Sequence, residues 1–347
     1  MQVDRRRFLM AALAAPGAAV AVAQEPSSPL IDRGFAQVAR VADGVYVTIA
    51  NPAKGGQCTS NGAVIAGRDA TLIVEGHFFP EGAELEIEVA RMVSKAPVRA
   101  AVNTHYHLDH TFGNIAYERQ KIPIMAHERA PALMRERYAA LQHVEKAPLL
   151  APLEQRVAAA ADPVEKQHYI SDLSATRWMY QAVDRVTLAY PTELLGTANT
   201  PKTIDLGGMT VLIEHQVGHT PTDLVVRVPQ RDIVFTGDLL FEKSYPVAFD
   251  CDMASWRKAL DRLAGYGRAT RFVPGHGPIC GVEVVHEFAD LIDDLHSHSE
   301  RMIRAGASIE EATRRYAVPP RFEKFGMFSW DWAIGGAMRS YYAQRKV

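Results

Sequence analysis

The first stretch of clear patterning is a series of short β-branched and apolar runs, Val45–Ala50, Ala63–Ala66 and Thr71–Val74. They are separated by turn signals at Gly55-Gly56 and Gly67-Arg68-Asp69, which predicts a meander of strands. Glu81–Ala96 then changes period: Leu85, Ile87, Val89, Met92 and Val93 recur at helical spacing. The apolar run Val98–Val102 follows, giving a β-α-β order. Ile122–Ala126 reads as a further strand, ending at His127. From about 128 to 190 the chain is rich in Ala and Arg with helical periodicity, interrupted by Pro148, Pro152 and Pro163, and reads as a helical insertion. Strand character returns in Thr203–Leu206 and Thr210–His215 around Gly207-Gly208, then in Leu224–Val228 and Asp232–Thr236 around Pro229-Gln230-Arg231. Ser255–Tyr266 reads as a helix capped by Ser255, Arg271–Val273 as a last strand, and about 284–305 and 308–316 as terminal helices. The expected class is α/β, with two groups of strands.

Composition narrows the partners more than the fold. The 347 residues are 48% hydrophobic and 22% charged, which excludes disordered, collagenous and disulfide-scaffold classes. Residues 1–23 run from Arg5-Arg6-Arg7-Phe8-Leu9 through Ala, Leu and Val to Ala21-Val22-Ala23, the order of a cleavable signal. Arg5 and Arg6 make it similar to the twin-arginine type, which implies a periplasmic or secreted protein. Pro16-Gly17 interrupts the apolar run, which is too short to span a bilayer, so no stable membrane insertion is expected. Without residues 1–23 the formal charge moves from −2 to about −4, and no basic run remains to bind nucleic acid. Cys58, Cys251 and Cys280 lack metal-ligand spacing and are expected to be small buried side chains; any pairing among them is open.

Immediately after the strand Val98–Val102 comes His105-Tyr106-His107-Leu108-Asp109-His110, four imidazole or carboxylate groups in six residues. Such nitrogen and oxygen donors suit zinc and similar cations. In extended backbone i and i+2 face the same way, so His105 and His107 can address one metal, while the turn beyond Leu108 swings Asp109 and His110 towards another. Three more candidates follow strands in Gly-flanked loops: His219 after Gly218, Asp238 after Gly237, and His276 between Gly275 and Gly277. Each is weak alone.

Taken in order, these motifs resemble the metallo-β-lactamase-fold hydrolases over about residues 36–285. The resemblance implies a four-layer αβ/βα sandwich, preceded by a linker at 24–35 and followed by a C-terminal helical extension at 286–347. It implies that His105, His107 and His219 bind one metal, that Asp109, His110 and His276 bind a second, and that Asp238 bridges both. Glu75 stands where the family usually carries an Asp supporting the site without touching metal, so its extra methylene must seat its partner differently. The insertion and the tail would flank the metal edge and shape a pocket for a small-molecule substrate; the oligomeric state is left open.

Two zinc ions so held imply hydrolysis of an ester, lactone, thioester or amide without a protein nucleophile, with Asp109 or a metal-bound water returning the proton. True zinc β-lactamases generally carry Cys or Ser where Asp238 stands, which moves the resemblance towards glyoxalase II, lactonase and quinoprotein-associated branches. The alternatives are a lactam hydrolase, an iron-dependent redox enzyme and a non-catalytic periplasmic metal-binding module. His77 is a candidate substrate contact or proton donor, against an ordinary solvated loop histidine. Asp223 is either a partner of His219 or a turn residue. Phe241, Tyr245, Phe325, Phe328, Trp330 and Trp332 are expected to be core rather than pocket wall.

Overall fold

The computed structural model describes residues 29–142, 145–197, 200–322, 325 and 330–345. The signal-like segment, Phe328 and the side chains of Trp330 and Trp332 lie outside the described residues. Among the described residues, thirteen strands form two sheets. The first comprises β1 (Ile31–Asp32), β2 (Ala36–Ala42), β3 (Val45–Ala50), β4 (Gly62–Ala66), β5 (Thr71–Val74), β6 (Val98–Val102), β7 (Ile124–His127) and β8 (Glu193–Leu195), side by side in chain order. β1 to β5 pair antiparallel; β5 to β8 pair parallel. The second comprises β9 (Lys202–Asp205), β10 (Thr210–His215), β11 (Leu224–Val228), β12 (Ile233–Phe241) and β13 (Arg271–His276), with only β12 and β13 parallel.

Each parallel step needs a crossover, and helices supply it. α1 (Pro80–Val93) joins β5 to β6, and the short α2 (Leu108–Thr111) and α3 (Asn114–Arg119) join β6 to β7. α4 (Ala130–Gln142), α5 (Ala147–Ala159) and α6 (Pro163–Arg185) lie between β7 and β8, and α7 (Met253–Ala264) joins β12 to β13. α8 (Val282–Arg304), α9 (Ile309–Arg314) and α10 (Trp330–Arg345) end the chain.

The period-2 alternation of the strands sorts the core into layers. Ala63, Ile65, Leu72 and Val74 face Val211, Ile213, Leu224 and Val226 across the gap between the sheets. The intervening Val64 and Ile73 face outward, beneath Leu85, Val89 and Ala90 of α1. On the far side Val225, Val234 and Phe272 are covered by Trp256 and Leu260 of α7 and by Phe288 and Ile292 of α8. The order is helix, sheet, sheet, helix.

Several boundaries differ from the sequence reading, each for a local reason. The expected linker already contains β1, which pairs Ile31 with Val38. α7 begins at Met253 rather than at Ser255, because the Asp252 carboxylate accepts from the Ser255 N–H and caps the helix. β12 runs on through Gly237 and Asp238 to Phe241, all nine residues buried, so Asp238 sits within a strand rather than in a loop. α8 is a layer of the sandwich and starts before residue 286, inside the span assigned to the core domain. α10 lies within the C-terminal helical extension expected at 286–347. Phe241, Tyr245 and Phe325 are buried core, and the three cysteines are buried free thiols.

Candidate metal centre

The strands deliver their C-terminal ends, and the loops that follow, to one edge of the two sheets. β6 ends at Val102 and leads directly to His105, His107, Asp109 and His110. β12 brings Asp238, β13 brings His276, and the loop between β10 and β11 brings His219. Side-chain donor atoms of His105, His107, His219 and Asp238 lie within 4.8 Å of one another, and so do those of Asp109, His110 and His276.

Asp238 joins the two groups with its two oxygens. Oδ2 lies 3.4 Å from His219 Nε2 and 3.9 Å from His105 Nε2. Oδ1 lies 3.3 Å from His110 Nε2 and 3.3 Å from His276 Nε2. Asp109 Oδ2 completes the second group, 3.5 Å from His110 Nε2 and 3.4 Å from His276 Nε2. The backbone is shaped for this approach: a Cβ on Gly275 would stand 1.9 Å from Asp238 Oδ1. Any side chain there would displace the carboxylate.

The outward ring nitrogens of His276, His105 and His107 have partners, which favours the other nitrogen of each pointing in. His276 Nδ1 donates to the Thr59 carbonyl at 2.8 Å. His105 Nδ1 lies 3.2 Å from Thr104 Oγ1. His110 Nδ1 faces Glu75 Oε2 at 3.3 Å, a charge contact without a hydrogen bond. His107 Nε2 meets Asp250 Oδ2 at 2.9 Å, leaving Nδ1 aimed at His219 Nε2, 3.0 Å away.

Whether a cation fits is tested by what these atoms lack. His105 Nε2, both ring nitrogens of His110 and Asp238 Oδ1 are buried without a hydrogen-bond partner, a costly arrangement unless something else satisfies them. The donor set is imidazole and carboxylate throughout, which suits zinc-like cations. Burial, reinforced by neighbouring imidazoles, holds His105 and His219 well below the ordinary histidine pKa, in the neutral form whose lone pair can bind metal. Burial would raise Asp238, yet His276 and His110 hold it well below the usual carboxylate range. The residues fit two cations.

The remaining candidates take other places. His77 is neither solvated nor in the site: it is fully buried, with Nδ1 facing the Ser60 carbonyl at 3.2 Å and Nε2 facing Glu86 Oε1 at 3.1 Å. It braces the loop before β4, whose Ser60 hydroxyl donates to the Asp109 carbonyl at 2.8 Å. Asp223 accepts from the Thr220 N–H at 2.9 Å and from its hydroxyl at 2.5 Å, closing the turn that presents His219. It makes no bond to the His219 ring, and burial pushes its pKa up to about 8.

Asp250 and Tyr106 escaped the sequence reading. Asp250 lies beyond the end of β12 with no motif around it; the only signal is Asp250-Cys251-Asp252, where the second Asp is accounted for as a helix cap and the first is not. Tyr106, between the two histidines, donates its hydroxyl to Asp250 Oδ2 at 2.6 Å.

Comparisons with known proteins bear on the fold and the family. Among solved structures of similar fold, the metallo-beta-lactamase FIM-1 of Pseudomonas aeruginosa in its mono-zinc form is 21% identical, covers 74% of this chain and 95% of its own, and superposes with a TM-score of 0.53. A metallo-beta-lactamase of Erythrobacter litoralis is 21% identical over 76% of this chain and 99% of its own, with a TM-score of 0.54. The sec-alkylsulfatase Pisa1 of a Pseudomonas species is 14% identical but covers 88% of this chain and 50% of its own, with a TM-score of 0.60. An uncharacterized protein of Mycobacterium tuberculosis H37Rv is 36% identical over 100 residues, 26% of this chain; the chain spans 45% of the length of that relative. Residues 55–276, which contain every residue of the cluster, match the family description "Metallo-beta-lactamase superfamily", and the chain belongs to that superfamily.

Proposed function

We propose that this protein is an exported binuclear zinc hydrolase acting on an ester, lactone, thioester or amide of a small molecule. The observation that carries the reading is Asp238, whose two oxygens face two different sets of imidazole nitrogens. On this reading His105, His107 and His219 hold the first ion, Asp109, His110 and His276 the second, and Asp238 both. Bound there, the ions supply Lewis acidity and hydroxide at neutral pH. The chain supplies the rest. Asp109, 30% exposed where His105 and His110 are almost wholly covered, is the carboxylate of the set that can exchange protons with solvent, and it returns the proton to the leaving group. Phe78, Phe79, Leu108 and Phe112 beside it pack against Ala182, Val183 and Val186, so α6 is seated on the segment that carries the ligands and shapes access to them.

Metal analysis of the purified protein with a substrate panel tests the reading. Two zincs per chain with turnover of an aryl ester or lactone support it. Lactam turnover alone would move it to the lactam-hydrolase alternative, and turnover of an alkyl sulfate alone would replace the acyl substrate with a sulfate ester. Iron in place of zinc, or two zincs without turnover of any of these, would favour the redox or metal-binding alternatives.

A further inference from the structure

Three consecutive residues before β4 hold the second group of the cluster from outside. The Thr59 carbonyl accepts from His276 Nδ1 at 2.8 Å, and the Ser60 hydroxyl donates to the Asp109 carbonyl at 2.8 Å. Asn61 ties the same loop to the end of β13: its N–H donates to the Gly275 carbonyl at 2.8 Å, and its Nδ2 to the Pro274 and Gly277 carbonyls at 2.9 and 2.7 Å. The third member, His110, is held from the turn after β5, where the Gly76 N–H donates to its carbonyl at 3.0 Å. His105, His107 and His219 have other supports, namely Thr104, Asp250 and the turn that Asp223 closes.

His77 is where the loop and the turn join. Its Nδ1 donates to the Ser60 carbonyl at 3.2 Å, and its Nε2 lies 3.1 Å from Glu86 Oε1 of α1. Its own carbonyl accepts from the Gly113 N–H at 3.1 Å, between α2 and α3. Ring and carboxylate are fully buried, and two glycines leave room for them. A Cβ on Gly62 of β4 would stand 2.5 Å from Glu86 Oε1 and 2.7 Å from His77 Nε2, and one on Gly82 of α1 would stand 2.7 Å from His77 Cβ. The backbone bends to place the ring there: Glu75 and His77, on either side of Gly76, stand at φ +81° and +58°, a region that residues other than glycine seldom enter.

We propose that His77, anchored by Glu86, is a positioning residue for the second metal group: it locks the loop at Thr59–Asn61 to the turn at Glu75–His77, and so places Asp109 and His110 through their carbonyls and His276 through its ring. The inference rests on the metal-centre reading above. Replacing a buried polar pair by apolar packing is often no worse for stability, so what this pair provides is geometry. Without it Ser60 is free to shift, Asp109 and His276 lose their common support, and the first group keeps its own.

The test uses the full chain, made metal-free, with stepwise zinc binding measured by competition with a chromophoric chelator. The wild type is expected to take up two zincs, and Asp109→Ala to lose one step, which identifies the second group. His77→Gly removes the ring and relieves the left-handed backbone; it is expected to weaken that step about tenfold, the lower end for losing a partner behind a metal-binding group, and to leave the other step unchanged. Glu86→Ala is expected to do the same, and Glu86→Gln, which can still bond the His77 ring, to recover most of the loss. His77→Asn tolerates the same backbone but is too short to span Ser60 and Glu86, so it is expected to show the same selective loss and keeps the proposal refutable if His77→Gly does not fold. Equal weakening of both steps, wild-type binding at both, or a loss in Glu86→Gln as large as in Glu86→Ala overturns the role of His77 and leaves the metal centre standing. Two full steps remaining in Asp109→Ala, or no zinc bound by the wild type, would overturn the metal-centre reading itself.

Discussion

At the scale of single residues, the cluster is organised by which atom of each side chain is already occupied. His276 and His107 each spend one nitrogen on Thr59 or Asp250 and turn the other towards Asp238 or His219. Asp238 alone serves both groups, so Asp238→Ala should lose most of the second-site metal and most turnover; full metal content and rate in that variant would refute the bridging assignment. Trp256 supports the same region from behind. It is fully buried, donates from Nε1 to the Leu239 carbonyl at 2.9 Å, and lies edge-on to His219 with ring centroids 5.4 Å apart. Trp256→Ala leaves a cavity and an unpaired carbonyl, and a cost of about 3–5 kcal/mol is expected in urea unfolding. Because the cavity opens against His219, zinc affinity should fall in the same variant; Trp256→Phe should recover more of the stability than Trp256→Ala does.

At the scale of elements, the sequence pattern is most informative where one strand face is buried and the ends carry turns. Thr71–Val74, Val98–Val102, Thr210–His215 and Leu224–Val228 fall where the pattern puts them. It misleads at Gly237-Asp238, which looks like a turn but is a bulged stretch inside β12, with Gly237 at φ +50°. α10 falls within the helical extension expected at 286–347, where the pattern gave it no bounds of its own. The HxHxDH run is legible because its donors are close in sequence; Asp250 is not, because only the folded chain brings it to His107 and Tyr106. The strand ends also carry a charge-sensitive contact: His127 at the end of β7 stacks on His215 at the end of β10, ring centroids 4.2 Å apart, joining the two sheets. Burial, with His215 and Arg129 adding to it, lowers His127 from 6.5 to about 4, and burial lowers His215 too, opposed chiefly by its hydrogen bond to the Pro221 carbonyl. A depressed histidine pKa means the unfolded chain takes up the proton first, so stability should fall as pH drops from about 6.5 towards about 4 and change little from this source above it. Urea midpoints at pH 7.5 and pH 5 should differ less in His127→Gln than in the wild type; an equal difference would assign the acid sensitivity elsewhere.

At the scale of the whole molecule, the seven grouped side chains come from residues 105 to 276 and from both sheets, so neither sheet alone contains the site. These side chains meet only once the sandwich has closed, so on the proposed reading of an exported metal protein, a metal gained before crossing would travel inside a folded chain. This gives physical sense to the proposed reading of Arg5-Arg6 as a twin-arginine pair, a route understood to carry folded cargo. No described helix is long and apolar enough to cross a membrane, so within those residues nothing would retain the folded body in the bilayer as a helix. In a host with that route, replacing both Arg5 and Arg6 by Lys should leave full-length precursor in the cytoplasm, already folded and carrying the same zinc content as the exported form. The precursor and mature protein can be separated by mass and their metal measured separately. Unchanged processing of the double-Lys variant would remove the twin-arginine assignment, while a zinc-free precursor would show that the metal is acquired after crossing, and that assembly of the site does not require the cytoplasm.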